Sequence, residues 1–150
     1  MPDLPNSAMT MLRASTHQYD AGEGATKRAP TALVVELLVD LDLSTVEGFR
    51  RSFRTLLDEV RGDEPETGQL IVLDLSRVDF ISVDAASALV DAKDQVVGRG
   101  LELRLVTPTR GVEHALAATG ARRMFQRHAT VGSALKYGRS RSDVLTDPAY

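Results

Sequence analysis

The fold is decided by residues 72–89, which read VLDLSRVDFISVDAASAL. The stretch opens inside an apolar run, residues 70–75, whose density of Leu, Ile and Val is typical of a strand buried on both faces. A short turn follows. From Asp84 onward, small and apolar residues recur at helical spacing until Gly98 and Gly100 end the pattern. The sequence therefore predicts a buried strand, a tight connection and a helix.

The same alternation continues on both sides of this stretch. Strands are predicted near 32–39, 70–75 and 101–106, and helices near 45–60, 85–98 and 109–119. Weaker signals predict a short strand at 124–126, a last helix opened by Thr130, and an extra edge strand over 9–17. Alternation of this kind favours an α/β fold: a mixed, mostly parallel β-sheet of four to five strands covered by about four α-helices.

The chain has 150 residues, which fits one domain. Residues 1–30 are predicted to form an N-terminal tail with the edge strand and a loop. Residues 31–137 are predicted to form the folded domain, and residues 138–150 a flexible C-terminal tail.

Composition excludes several classes of function. The chain has no cysteine, which removes disulfides, thiolate catalysis and zinc sites built on sulfur. A formal net charge of -3 argues against direct nucleic-acid binding. No apolar run approaches the roughly 18 residues of a membrane helix, and the N-terminus lacks the pattern of a secretory signal. We therefore expect a cytoplasmic protein without membrane insertion.

Catalytic motifs are not found either. None of the three histidines lies in a recognisable nucleophile arrangement, and no Gly-x-Ser-x-Gly elbow occurs. Residues 22–27 resemble a phosphate loop only superficially, because the Gly-Lys-Ser/Thr ending and the preceding strand are missing. With no metal-ligand cluster visible, we expect no enzymatic activity, no cofactor and no metal.

Two helix starts carry polar residues that suit capping. Ser44 and Glu47 match a capping box for the helix near 45–60. Ser82 or Asp84 is expected to cap the helix that follows the central strand. Because a helix N-terminus favours negative charge, a phosphorylation or docking site at Ser82–Asp84 is the alternative interpretation.

Five segments, taken together and in order, resemble the STAS domain of the anti-sigma factor antagonist family over roughly residues 31–135. The family's strand ending, its central Val-x-Leu-Asp-Leu-Ser-x-Val-x-Phe-Ile motif, its post-glycine strand, its Leu-x-x-Thr-Gly and its Thr-Val-x-x-Ala-Leu all have counterparts. These are residues 39–42, 72–81, 100–108, 116–120 and 130–135.

The resemblance implies a regulatory binding protein. Such an antagonist captures a serine-kinase-type anti-sigma factor while unphosphorylated and thereby controls sigma-factor-dependent transcription, as in the bacterial stress response. The partner-binding positions carried over are Asp40, Asp42, Ser82, Val83, Asp84 and Ser87. A homodimer is left open.

The chain departs from the family at the functional motif. Kinase-regulated members carry Asp-Ser-Ser-Gly and are phosphorylated on the second serine; here those positions hold Ser82, Val83, Asp84 and Ala85. Asp84 therefore replaces the acceptor hydroxyl, with Ser82 and Ser87 as displaced candidates. Aspartate carries at most one negative charge, against about 1.5 to 2 for phosphoserine, so Asp84 mimics the phosphorylated state only in part.

Two other classes stay open. A STAS accessory subunit of a lipid-transport ABC system would share the fold without kinase control, and the missing serine permits it. A two-component receiver needs an acidic pair after its first strand and a lysine after its fifth. Asp40 and Asp42 fit the first requirement, but no lysine follows residues 124–126 at the right distance. A transporter's STAS tail is not expected, because no membrane helices precede the domain.

Overall fold

The computed structural model describes residues 11–18, 31–60, 70–136 and 144–145. The strands are β1 (Leu12–Gln18), β2 (Thr31–Leu37), β3 (Leu70–Asp74), β4 (Glu102–Val106), β5 (Gln126–His128) and β6 (Val144–Leu145). The helices are α1 (Val46–Val60), α2 (Val83–Gly98), α3 (Arg110–Ala118) and α4 (Val131–Ala134), with one turn of 3-10 helix at Arg122–Met124.

The strands form one sheet in the order β1-β2-β3-β4-β5-β6. Strands β2 to β5 are parallel, whereas β1 and β6 pair antiparallel to β2 and β5. The predicted mixed, mostly parallel α/β architecture is confirmed. Within the described residues the sheet has six strands rather than four to five, the sixth being only two residues long.

The core lies mainly on one face of the sheet. Alternate residues of β2 and β3, such as Val35 and Leu73, pack against α1, α2 and α3 on that face. Phe49 and Phe53 of α1 stack with ring centroids 5.5 Å apart. The opposite face buries a smaller cluster that includes Val72 and Ala134 of α4.

One prediction of local structure, the position of the last short strand, is corrected. The short strand expected at 124–126 lies instead at Gln126–His128. The sequence pattern misplaced this strand because two of its three residues are polar side chains that are buried. Arg127 donates to Glu113 on one face of the sheet, and the ring of His128 bonds the Ser133 hydroxyl at 2.8 Å. An apolar pattern could not reveal such a strand.

Some predictions concern parts of the chain that lie outside the described residues. The phosphate-loop-like segment at 22–27 is one, and most of the predicted C-terminal tail at 138–150 is another. The predicted edge strand over 9–17 corresponds to β1 (Leu12–Gln18). In the described part of the chain, each helix is too short or too polar to cross a membrane.

Candidate functional site

Two loops meet beyond the carboxyl ends of β2 and β3. Leu41, in the loop after β2, forms an isolated parallel bridge with Ile81, in the loop after β3. The Leu41 N–H donates to the Phe80 carbonyl at 3.2 Å, and the Ser82 N–H donates to the Leu41 carbonyl at 2.9 Å. Because both bridging side chains are buried, the two loops are held as one unit.

Asp40 fastens the same two loops through its side chain. Its Oδ1 accepts from the Asp79 N–H at 2.9 Å and from the Phe80 N–H at 3.4 Å. Its carbonyl accepts from the Thr45 hydroxyl at 2.8 Å. Asp40 therefore has a structural task in addition to the binding role expected from the sequence.

Asp42 organises the turn that leads into α1. Its Oδ1 accepts from the Ser44 N–H at 2.8 Å, the Ser44 hydroxyl at 2.6 Å and the Thr45 N–H at 3.2 Å. These bonds, chiefly those from Ser44, hold the pKa of Asp42 below its ordinary value of 3.8. The capping box predicted for Ser44 is wrong, since the Ser44 hydroxyl donates to Asp42 and α1 begins only at Val46.

The geometry at the start of α2 shows which residue caps this helix. Ser82 is the N-cap, with φ -82° and ψ 169°, and its hydroxyl accepts from the Ala85 N–H at 3.1 Å. Asp84 lies one residue inside the helix and is exposed, as are Val83 and Ser87. Asp84 therefore acts on this helix start through its charge rather than as a cap.

Large apolar side chains are exposed beside these acids. Leu43 is 73% exposed, Phe80 52% and Val83 69%. Leu43 and Val83 each lie two residues past the bridge between Leu41 and Ile81, and Phe80 lies one residue before it. We call this region the loop surface: the three apolar residues together with Asp40, Asp42, Asp79 and Asp84.

Of the six residues expected from the sequence to bind a partner, Asp40 and Asp42 flank Leu41 in the loop that bridges to the start of α2. Ser82, Val83, Asp84 and Ser87 follow in order along that helix start. Sequence reasoning missed Leu43 and Phe80. The available signal is a large apolar side chain inside each acidic loop, and Phe80 is also part of the central motif. Its exposure follows from the bridge, because the neighbouring residue Ile81 is turned into the core.

The N-terminus of α3 packs against the loop that carries Phe80. A Cβ on Gly111 would lie 2.0 Å from the Asp79 carbonyl oxygen, so only glycine permits this approach. The Thr109 hydroxyl donates to the Val78 carbonyl at 2.9 Å instead of capping its own helix. The loop surface is therefore supported from below by α3.

A second acid-centred contact lies on the far side of α3. Glu113 accepts from Arg127 at 2.6 Å and from the Thr107 hydroxyl at 2.5 Å, and the side chain of Arg127 is only 4% exposed. Arg122 approaches the same carboxylate at 3.9 Å. A cavity of about 270 Å³ opens beside these residues. Because the charges are already paired, this region reads as structural.

The chain resembles proteins of one family. Residues 25–134 match the model of the STAS domain. No curated protein sequence matches the chain.

Solved structures of anti-sigma factor antagonists share the fold. One from Mycobacterium paratuberculosis is 16% identical, with a TM-score of 0.57 over 88% of this chain and 96% of that one. The antagonist SpoIIAA in its unphosphorylated form is 17% identical, with a TM-score of 0.53 over 80% and 92%. At such identities the similarity concerns the fold alone.

Proposed function

Because the chain belongs to the STAS domain family, we propose that it is an anti-sigma factor antagonist. In this role it binds a serine-kinase-type anti-sigma factor in the cytoplasm and so controls sigma-factor-dependent transcription. It acts by binding, without catalysis of its own. The observation that carries the proposal is the bridge between Leu41 and Ile81, which gathers the acids after β2 and the start of α2 on one surface.

The position of Asp84 supports a modified form of this role. Asp84 stands where kinase-regulated relatives carry the phosphorylated serine, and it is exposed in the first turn of α2. A kinase has no hydroxyl to modify at this position. The carboxylate supplies about half the charge of a phosphate, so the chain binds its partner with a fixed, intermediate affinity.

The test uses the purified chain and each purified serine-kinase-type anti-sigma factor encoded in the source genome, with binding measured by calorimetry. We expect one of these factors to bind the native chain and to bind Asp84→Ser more tightly. Added ATP should then cause phosphorylation and release of the Asp84→Ser variant but not of the native chain. Asp94→Ser, which changes another exposed aspartate of α2, is the matched control.

Each outcome of this test distinguishes between the proposed role and its alternatives. If no anti-sigma factor binds the native chain, the proposed role is refuted, and co-purification of ABC transporter subunits would favour the accessory role. Equal affinities for native, Asp84→Ser and Asp84→Ala proteins would refute the role of Asp84. Phosphate on Ser82 or Ser87 of the native chain would show that the regulatory site has moved.

A further inference from the structure

Exposed apolar side chains are concentrated on the loop surface. In the described part of the chain, five large hydrophobic residues are exposed, and three of them are Leu43, Phe80 and Val83. The other two, Val97 and Met124, lie near the opposite end of the sheet, where α2 ends and where β5 is about to begin. A concentration of exposed apolar side chains in one region is typical of interaction surfaces.

The backbone beneath these side chains is held in place. Leu43 lies inside the turn fastened by Asp42, and the N–H of Phe80 is oriented toward Asp40. Val83 is the first residue of a helix capped by Ser82. A partner that binds here orders little of this backbone, which lowers the entropic cost of association.

The charges around the apolar residues have mainly one sign. Carboxylates come from both loops and from the first turn of α2: Asp40, Asp42, Asp79 and Asp84. Arg110, in the first turn of α3, is an exposed cation at the border, and Arg77 is paired with Glu36 at 2.8 Å. The surface therefore complements a partner that is apolar and basic.

The same charges disfavour a second copy of this chain as the occupant. A symmetric dimer formed through the loop surface would place its carboxylates against their own copies. Such like-charge contacts across an interface oppose association.

We infer that the loop surface binds an apolar segment flanked by lysine or arginine, with Leu43 and Phe80 as its anchoring contacts. The inference rests on the proposed function in one respect, that the segment belongs to the anti-sigma factor. Buried apolar anchors at the centre of an interface, rather than rim charges, carry most of its binding energy. We therefore assign affinity mainly to the two apolar residues, and the choice of partner to the acids.

The first experiment compares Leu43→Ser and Phe80→Ser with the native chain in binding to the anti-sigma factor. Each variant should weaken binding at least about tenfold, because an anchoring contact is lost. Val97→Ser and Met124→Ser are matched controls that remove an exposed apolar side chain elsewhere, and they should leave affinity within about twofold. Unchanged thermal unfolding shows that the variants remain folded. Equal binding by all five proteins would refute the inference while the proposed function stands.

The second experiment tests the inference without relying on the proposed function. Two fluorescein-labelled peptides share an apolar helical face, and one carries lysine where the other carries glutamate. Fluorescence anisotropy should show that the native chain binds the lysine peptide more tightly, and that Phe80→Ser weakens this binding. This result supports the inference even if no anti-sigma factor binds the native chain, an outcome that refutes only the proposed function.

Two results of these measurements would overturn the inference. One is equal binding of the two peptides, or binding that Phe80→Ser leaves unchanged. The other is a dimer of the native chain in sedimentation equilibrium that Phe80→Ser dissociates, which would identify the occupant as a second copy.

Discussion

Asp40 and Glu113 each join segments that are distant in sequence, yet their surroundings differ. Asp40 is exposed and accepts from backbone N–H groups across the two loops of the loop surface. Glu113 is partly buried and pairs with the buried guanidinium of Arg127. The comparison teaches that Asp40 fixes the shape of a surface, whereas Glu113 compensates a charge beneath it.

Asp79 contacts both Asp40 and the helix that carries Glu113. Its N–H is held by Asp40, and its carbonyl lies against Gly111 of the helix that carries Glu113. The loop surface is therefore linked by direct contacts to the end of the sheet where β4, α3 and β5 lie close together. Mutations of the residues that make these contacts should separate effects on the stability of the fold from effects on partner binding.

The largest loss of stability is expected for Glu113→Ala. Removing this carboxylate leaves the Arg127 charge in a buried position, and breaking a buried pair costs about 3 kcal/mol or more. Urea unfolding measures the loss, and binding at the loop surface should persist in the folded fraction. A change below about 1 kcal/mol would show that Arg127 is compensated by its other contacts.

Gly111→Ala should come next and has an unusual sign. In a helix, alanine normally stabilises relative to glycine by about 1 kcal/mol. Here the added Cβ would lie 2.0 Å from a backbone oxygen, so we expect a net destabilisation of about 2 kcal/mol. Gly132→Ala is the control, because its Cβ would have no neighbour closer than 3.9 Å. Stabilisation by both substitutions would contradict the close packing of α3 on the loop.

The sequence revealed the architecture because the longer buried strands have a local apolar pattern. The run at 70–75 is apolar except for Asp74, and small and apolar residues at helical spacing after Asp84 are buried in α2. The sequence did not reveal the contacts made by Asp40 and Glu113. Asp40 and Asp79 are 39 residues apart, and Glu113 and Arg127 are 14 residues apart. No periodicity links such partners.

The site shows the same division. The loops that carry the predicted acids and Ser82 lie side by side, because loops after neighbouring parallel strands reach the same edge of the sheet. Which residue would cap α2 was ambiguous, because Ser82 and Asp84 are both good capping residues two positions apart. Backbone dihedral angles decided in favour of Ser82.

Asp40→Ala should have a moderate effect on stability. It removes a charged acceptor from the N–H groups of Asp79 and Phe80, and water replaces it in part, so we expect a loss of about 1 kcal/mol. Hydrogen exchange at the Asp79 amide should accelerate. Asp40→Asn keeps an acceptor and should recover much of the protection. Unchanged exchange in Asp40→Ala would show that the bridge between Leu41 and Ile81 alone holds the loops.

At the start of α2, Ser82→Ala and Asp84→Ala should differ in size. Loss of the cap at Ser82 should cost about 1 kcal/mol, because the Ala85 N–H loses its partner. Loss of Asp84 removes only a favourable charge near the helix dipole, about 0.3 kcal/mol at low salt. Urea unfolding at low and high salt distinguishes them, since only the Asp84 effect should be screened. A larger loss from Asp84→Ala would restore it as the cap.

The smallest effect is expected for Asp42→Asn, and it should appear mainly as a change in pH dependence. Asparagine still accepts hydrogen bonds from Ser44 and Thr45, so the turn should persist while the charge is lost. Because the pKa of Asp42 in the folded protein lies below the ordinary 3.8, its ionised form stabilises the fold above that pH. This contribution is lost as pH falls through the lowered pKa, whereas the variant has no such contribution to lose. The difference in unfolding free energy between native and variant proteins should therefore be largest near neutral pH and shrink below about pH 4. Ser44→Ala keeps the carboxylate but removes the hydroxyl donor, so it should move the midpoint of that loss to higher pH. A difference that stays constant with pH would show that the turn is held by hydrogen bonding alone, with no contribution from the charge.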